Sequence, residues 1–375
     1  MNLIRLSRSD VGNEEKVAIN KVIDKGYLGM GLEVKNFELD LKNFIKTKKD
    51  VICVSSGTSA LHLSLSCLDI GTGDEVLIPS ITYVASFQAI SAAGAKPIAC
   101  DVLKDSGFID LEDAVKRITK NTKAIMPVHY ASDSSYMKKV YKFAKENKLR
   151  VIEDAAHAFG CRRNNKFIGA EGDVICFSFD GIKNITSGEG GAVVTGDKVL
   201  SKRIRDSRLL GVENDTKARF NESRSWNFNV SMQGFRYHMS DLMAALGRQQ
   251  LRKIKSFSNI RKRIAQRYLA NLKDINGISF LDLNYENIVP HIFVIKVNHK
   301  IRDKLREHLK KNNIESGIHY LPNHLLNFYK TKYKLPVAEN FSKEVLSLPI
   351  HTNLNKSDQF YVIETVKIFF EMIKE

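Results

Sequence analysis

Seven short apolar runs within the first 195 residues constrain the fold more than any other feature of the chain. They are VICV (51–54), DEVLIPS (74–80), KPIACDV (96–102), TKAIMPVHY (122–130), LRVIEDAAH (149–157), DVICFSF (173–179) and GAVVT (191–195). Helix-patterned stretches alternate with them. SSGTSALHLSLSCL follows the first, YVASFQAISAAG follows the second, and 136–147 precedes the fifth. Strands alternating with helices over this length predict an α/β unit with a largely parallel sheet. Ligands of such sheets bind beyond the carboxyl ends of the strands. The polar clusters of this chain fall at those ends.

The texture changes further on. Residues 248–272 predict one long basic amphipathic helix, 290–297 (PHIFVIKV) a strand, 300–312 a charged helix and 357–374 a terminal helix. Residues 13–46 read as helical material broken at the glycine-rich turn 26–31. The expected division is a large domain at 13–248 and a smaller α+β domain at 249–375, joined by residues 1–12.

Charge narrows the function classes. The chain has 58 Lys and Arg against 42 Asp and Glu, a net charge of +16, which could point to nucleic acid or an anionic membrane. The basic residues are scattered along helices, however, as in Lys138, Lys139, Lys142 and Lys145, or Arg252, Lys253, Lys255, Arg261, Lys262 and Arg263. They read as mostly solvated helix faces, with a share left to attract a small anionic substrate. With neither zinc-finger spacing nor an RNA-binding aromatic signature, no nucleic-acid partner is expected. No stretch approaches 18 continuous apolar residues, so no membrane span is expected. The start MNLIRLSRSDVGNEE lacks the apolar core of a signal peptide. Five cysteines (Cys53, Cys67, Cys100, Cys161 and Cys176) form no CxxC pair. They fit reduced, buried thiols in a cytoplasmic protein with no metal centre.

The chemistry concentrates in CFSFDGIKNITSGEGGAVVT, residues 176–195. Lys183 lies in a turn between two strand-like runs, and Asp154 ends another strand. Both belong on one rim of the sheet. A lysine can form a Schiff base with an aldehyde cofactor. A carboxylate facing a pyridine nitrogen keeps that nitrogen protonated and makes the ring an electron sink. Gly57, Thr58 and Ser59 follow a strand and open a helix, where amides and hydroxyls can hold a phosphate. Taken singly, each has a plainer reading: a surface turn lysine, a carboxylate at a strand end, and an N-cap at Ser55, Ser56 or Thr58.

Together with LSRSDVGNEE, GYLGMG, SSGTSALHLSL, IPSITYVASFQAI, GAKPIACDV, PVHYASD, VIEDAAHAFG, FSFDGIKNITSGEGG, SGIHYLPNH and LSLPIH, these motifs cover nearly the whole chain. The sequence resembles the DegT/DnrJ/EryC1/StrS sugar aminotransferase family of fold-type I enzymes dependent on pyridoxal 5'-phosphate (PLP). The resemblance implies an α/β fold with a mostly parallel seven-stranded sheet and a smaller α+β C-terminal domain. It implies that Lys183 carries PLP and acts as general acid and base. Asp154 would face the pyridine nitrogen and Tyr83 would stack on the ring. Gly57, Thr58 and Ser178 would contact the phosphate, with Ser59 beside them. His157 would lie near the cofactor, and Ser187, Glu189 and His319 on the substrate side, with Gly188 at the entrance.

Some positions depart from the family pattern. In GFRYHMSD (234–241), Arg236 stands where many members carry an Asn that reaches a neighbouring subunit's cofactor phosphate, and His238 stands where they carry Arg. Arg236 is expected on a phosphate, of the cofactor or of the substrate. PVHYAS replaces a PVHLYG-like segment, and Gln88 replaces a common Asn. The implied reaction moves an amino group from L-glutamate to a nucleotide-linked 4-keto-6-deoxy sugar in a cytoplasmic homodimer with shared active sites. A 3-keto sugar is the nearest alternative, and a non-catalytic regulator on the same fold is another. A dehydratase branch has histidine in place of the lysine, and Lys183 argues against it.

Overall fold

The computed structural model describes residues 2–224 and 226–373. Two helices open the chain, α1 (Asn13–Lys25) and α2 (Leu32–Ile45). Then strands and helices alternate: β1 (Asp50–Val54), α3 (Gly57–Cys67), β2 (Glu75–Pro79), α4 (Val84–Ala92), β3 (Lys96–Cys100), α5 (Leu111–Val115), β4 (Thr122–Ile125), α6 (Met137–Glu146) and β5 (Arg150–Asp154). A small hairpin, β6 (Arg162–Arg163) and β7 (Lys166–Phe167), leads into β8 (Val174–Ser178) and β9 (Gly191–Thr195). The seven-stranded sheet has the order β1-β9-β8-β5-β4-β2-β3. Only β9 runs against the others, pairing antiparallel with both β1 and β8. That reversal sets the site: the β8–β9 connection, which holds Lys183, stands on the same rim as the carboxyl end of β5.

The strands read as continuous apolar runs because both faces of the sheet are covered. In β1, Ile52 and Val54 join one core while Val51 and Cys53 join the opposite one. In β8, Val174 and Cys176 divide from Ile175 and Phe177 in the same way. All five cysteines are buried and none is bridged.

Short helices α7 (Lys198–Ser207) and α8 (Asp215–Phe220) follow β9. The long helix α9 runs over Asp241–Leu272, seven residues earlier than its periodicity predicts. Ser240 caps it, its side chain accepting the Met243 amide. Gly247 hides the first two turns from a propensity reading, but it is required: a Cβ there would lie 2.7 Å from the Phe37 ring of α2. Asp241 in turn accepts the amides of Gly31 and Val34 and so caps α2. Arg261 is an exception among the mostly solvated basic residues of α9. It is buried and donates to the carbonyls of Pro290, His291 and Ile350.

The rest of the chain builds a three-stranded sheet from β10 (Ile278–Phe280), β11 (Phe293–Val297) and β12 (Val345–Leu348), with α10 (His299–Lys311), α11 (Pro336–Glu344) and α12 (Lys356–Met372) around it. The predicted terminal helix reached residue 374, which lies outside the described residues. The N-terminal segment packs here too. Ile4 bridges Ile314, and Leu6 accepts the Ile350 amide. Among the described residues no helix is long and apolar enough to cross a membrane.

Candidate active site

Lys183 and Asp154 line one cavity at the rim. The loop that carries Lys183 closes through Phe179, whose amide donates to Gly190 and whose carbonyl accepts the Ser187 amide. Both residues line a cavity of about 460 Å³ between the large sheet and the segments that carry His291 and His319. Asp154 is buried, 6% exposed. Its Oδ2 accepts from the Ser86 hydroxyl at 2.6 Å and its Oδ1 from the Ala156 amide at 3.1 Å. Lys183 Nζ lies 3.4 Å from His291 Nε2. Burial pushes the Lys183 amine below its ordinary value, and the carboxylates of Asp154 and Asp180 oppose that push. A lysine held in this way is a better nucleophile at neutral pH than a solvated one.

Another part of the cavity lining suits an anion. Gly57 and Thr58 line it in the first turn of α3, where amides have no intrahelical acceptor. Ser178, the last residue of β8, faces them. Gly57 is a contact requirement here, since a Cβ at that position would lie 2.8 Å from Ser178 Cβ. Tyr83 forms the wall and mouth, 63% exposed, with its ring centroid 5.9 Å from that of Tyr320. An exposed aromatic face, a fixed carboxylate, a buried amine and a helix N-terminus in one cavity fit PLP group by group. Overpacking such a contact costs about 1–3 kcal/mol. Gly57→Ala is therefore expected to weaken PLP binding roughly tenfold or more, read by equilibrium dialysis. Unchanged affinity would remove Gly57 from the phosphate site.

Three expected site residues do not line this cavity. Ser59 turns inward: its hydroxyl accepts the Ser56 amide at 2.8 Å, while its own amide donates to Ser56 Oγ at 3.0 Å. That reciprocal box caps α3 and leaves Ser59 no free face toward a phosphate. Ser187 is buried with its hydroxyl on the Glu189 carbonyl at 2.9 Å, so it braces the loop. Arg236 lines a separate cavity of about 180 Å³ with Arg219, Arg224, Trp226 and His238, and does not reach the Lys183 cavity of its own chain. The strand-like segment 236–238 explains this. Ser55 donates to the Tyr237 carbonyl and Val54 bridges His238, which turns Arg236 away.

His157, His319 and Glu189 do line the cavity. Burial pushes the Glu189 carboxyl up, and Asp180 beside it adds to the shift. His157 Nε2 meets the Tyr320 hydroxyl at 3.0 Å, and His319 Nδ1 meets Ser347 Oγ at 2.8 Å. Sequence reasoning missed Ser86, His291, Tyr320 and Asp180. Ser86, Asp180 and Tyr320 all stood within quoted motifs and His291 within an expected strand, but nothing local marked any of them as a cavity residue.

Burial and the nearby Lys183 push His319 down to about 4. The unfolded chain takes up a proton at this histidine near 6.5 and the folded chain only near 4. Stability is thus present above 6.5 and is lost as pH falls from there through about 4. The loss amounts to up to about 3 kcal/mol from this residue. His319→Gln is expected to reduce, by this one residue's share, the pH dependence of urea unfolding in that window, to which other histidines such as His238 and His351 also contribute. An unchanged slope would contradict the assigned state of His319.

Residues 9–367 match the family described as the DegT/DnrJ/EryC1/StrS aminotransferase family. The chain belongs to this family. It is 32% identical to the spore coat polysaccharide biosynthesis protein SpsC of Bacillus subtilis, over 95% of this chain and 94% of that protein. The structure of S. venezuelae DesV in complex with a ketimine intermediate is similar at 35% identity and a TM-score of 0.87, covering 96% of this chain and 94% of that one. The PMP-form of a putative sugar aminotransferase from Streptococcus pneumoniae superposes with a TM-score of 0.92 at 28% identity, covering 99% and 98%. As a member of the DegT/DnrJ/EryC1/StrS family, the chain is a fold-type I, PLP-dependent transaminase.

Proposed function

We propose that the chain moves an amino group from L-glutamate to the ketone of a nucleotide-linked 4-keto-6-deoxy sugar. The observation that carries this reading is the placement of Lys183 and Asp154 on one cavity floor, with an open, Tyr83-lined mouth. The family, its polysaccharide-biosynthesis relative and its sugar-aminotransferase neighbour support the sugar. The net charge of +16 suits a substrate with a diphosphate.

When bound, PLP supplies an electron sink for the charge left by a departing Cα proton. Gly57, Thr58 and Ser178 would hold its phosphate, and Tyr83 would cover its ring. Asp154, fixed by Ser86, would keep a proton on the pyridine nitrogen. Lys183 Nζ takes the proton from the substrate Cα and delivers it to the carbon on the far side of the amino nitrogen, which its lowered pKa permits near neutral pH. Glu189 and His319 border the incoming sugar. Arg236 belongs to a surface that completes a neighbouring subunit's phosphate site. The assembly is a cytoplasmic homodimer, and light scattering that showed an active monomer would contradict it.

The test is to present the pyridoxamine form with dTDP-, UDP- and GDP-linked 3-keto and 4-keto sugars and to identify products by NMR. Amination at C4 of a nucleotide sugar is expected. Reaction only with ketones that lack a nucleotide would overturn the sugar assignment, and amination at C3 would move it to the alternative carbon.

A further inference from the structure

His291 makes the side-chain hydrogen bond to Lys183, at 3.4 Å. The residue is buried just ahead of β11 and its position is fixed from two sides. Its amide donates to Ser132 Oγ at 3.1 Å, and its carbonyl accepts from Arg261 at 3.3 Å. The same Ser132 hydroxyl lies 2.6 Å from the His157 carbonyl. One buried serine thus sets the backbones of two histidines whose rings stand 4.4 Å apart.

The ring chemistry limits what His291 can do. A lysine ammonium has three donors and no acceptor, whereas a neutral imidazole has one of each. Facing an ammonium, Nε2 must accept, which leaves the ring proton on Nδ1. That atom is buried and has no hydrogen-bond partner among the described residues. Facing a neutral amine, Nε2–H can donate instead. Lys183 also faces Asp154 and Asp180, which favour its proton, with His157 and His319 nearby. Burial and the Lys183 charge keep the His291 ring neutral.

We propose that His291 is a positioning residue for the Lys183 amine: its Nε2 receives Nζ whenever the lysine is not covalently engaged, and shares one proton with it. The pair holds the amine at the cavity edge while donor or acceptor occupies the centre, and presents it with its proton still exchangeable. This rests on Lys183 as the reacting amine and is independent of which ketone is the acceptor.

The lysine itself provides the test. In cofactor-free protein, competitive acetylation read by peptide mass spectrometry gives the titration midpoint of Lys183. His291→Leu removes the acceptor and is expected to lower that midpoint by about one pH unit, while His291→Gln, which can still accept, restores it. Coincident midpoints in wild type and the leucine variant would overturn the proposal. A second measurement leaves His291 in place. The ¹⁵N resonance of His291 Nε2 should shift on Lys183→Met, because its hydrogen bond is lost, and an unmoved resonance would overturn the proposal equally. Failure of the sugar reading would appear in the substrate panel and would leave both measurements unchanged.

Discussion

Lys183→Ala is expected to lower transamination by a factor on the order of 10⁴ while the protein remains folded. The large loss follows from the position of the amine. It lies in the same cavity as Asp154, with no second lysine among the lining residues. The fold should survive because, among the described residues, the side chain makes one long hydrogen bond, to His291, and no ion pair. Burial opposes its charge, so truncation also removes a desolvation cost. Stopped-flow measurement of the donor half-reaction, with thermal unfolding alongside, checks both parts. Activity within tenfold of wild type would remove Lys183 from the chemistry.

Asp154→Asn comes second, with an expected loss on the order of 10² to 10³ in turnover. The substitution keeps the size of the side chain, and Ser86 can still donate to an amide oxygen. What it removes is the negative charge that holds a proton on a pyridine nitrogen. It also removes a carboxylate that raises the Lys183 pKa, so the lysine should titrate at still lower pH. A loss of turnover with an unshifted lysine would separate Asp154 from Lys183 electrostatically and contradict the geometry. Retention of full turnover would contradict its role at the ring.

Much of this site was legible in the sequence because its parts sit at predictable ends of strands. Asp154 closes β5, Ser178 closes β8, and Gly57 opens α3 directly after β1. Lys183 falls on the same rim because β9 turns back against β8. Side-chain direction within a turn was not legible. Ser59 and Thr58 are neighbours of similar chemistry, yet Ser59 occupies the third position of α3, where it exchanges hydrogen bonds with Ser56. Ser187 is similar in type to Ser178 but spends its hydroxyl on a loop carbonyl. His291 and Tyr320 reach the cavity from segments more than 100 residues beyond Lys183, and no local pattern encodes that approach.

The same distinction holds for the fold. The parallel core strands were readable as unbroken apolar runs. The early start of α9 was not, because Gly247 serves a crossing with Phe37 of α2 that only tertiary packing shows. Nor was β12, four residues that begin where α11 ends. Arg261 resembled its basic neighbours in sequence, but it lies on the inward face of α9 and binds three carbonyls.

The most direct test of the central claim is to load the protein with PLP, reduce it with borohydride and map the modified peptide by mass spectrometry. One pyridoxyl adduct is expected, on Lys183, and glutamate added before reduction removes it. An adduct on any other lysine, or none at all, would contradict the claim.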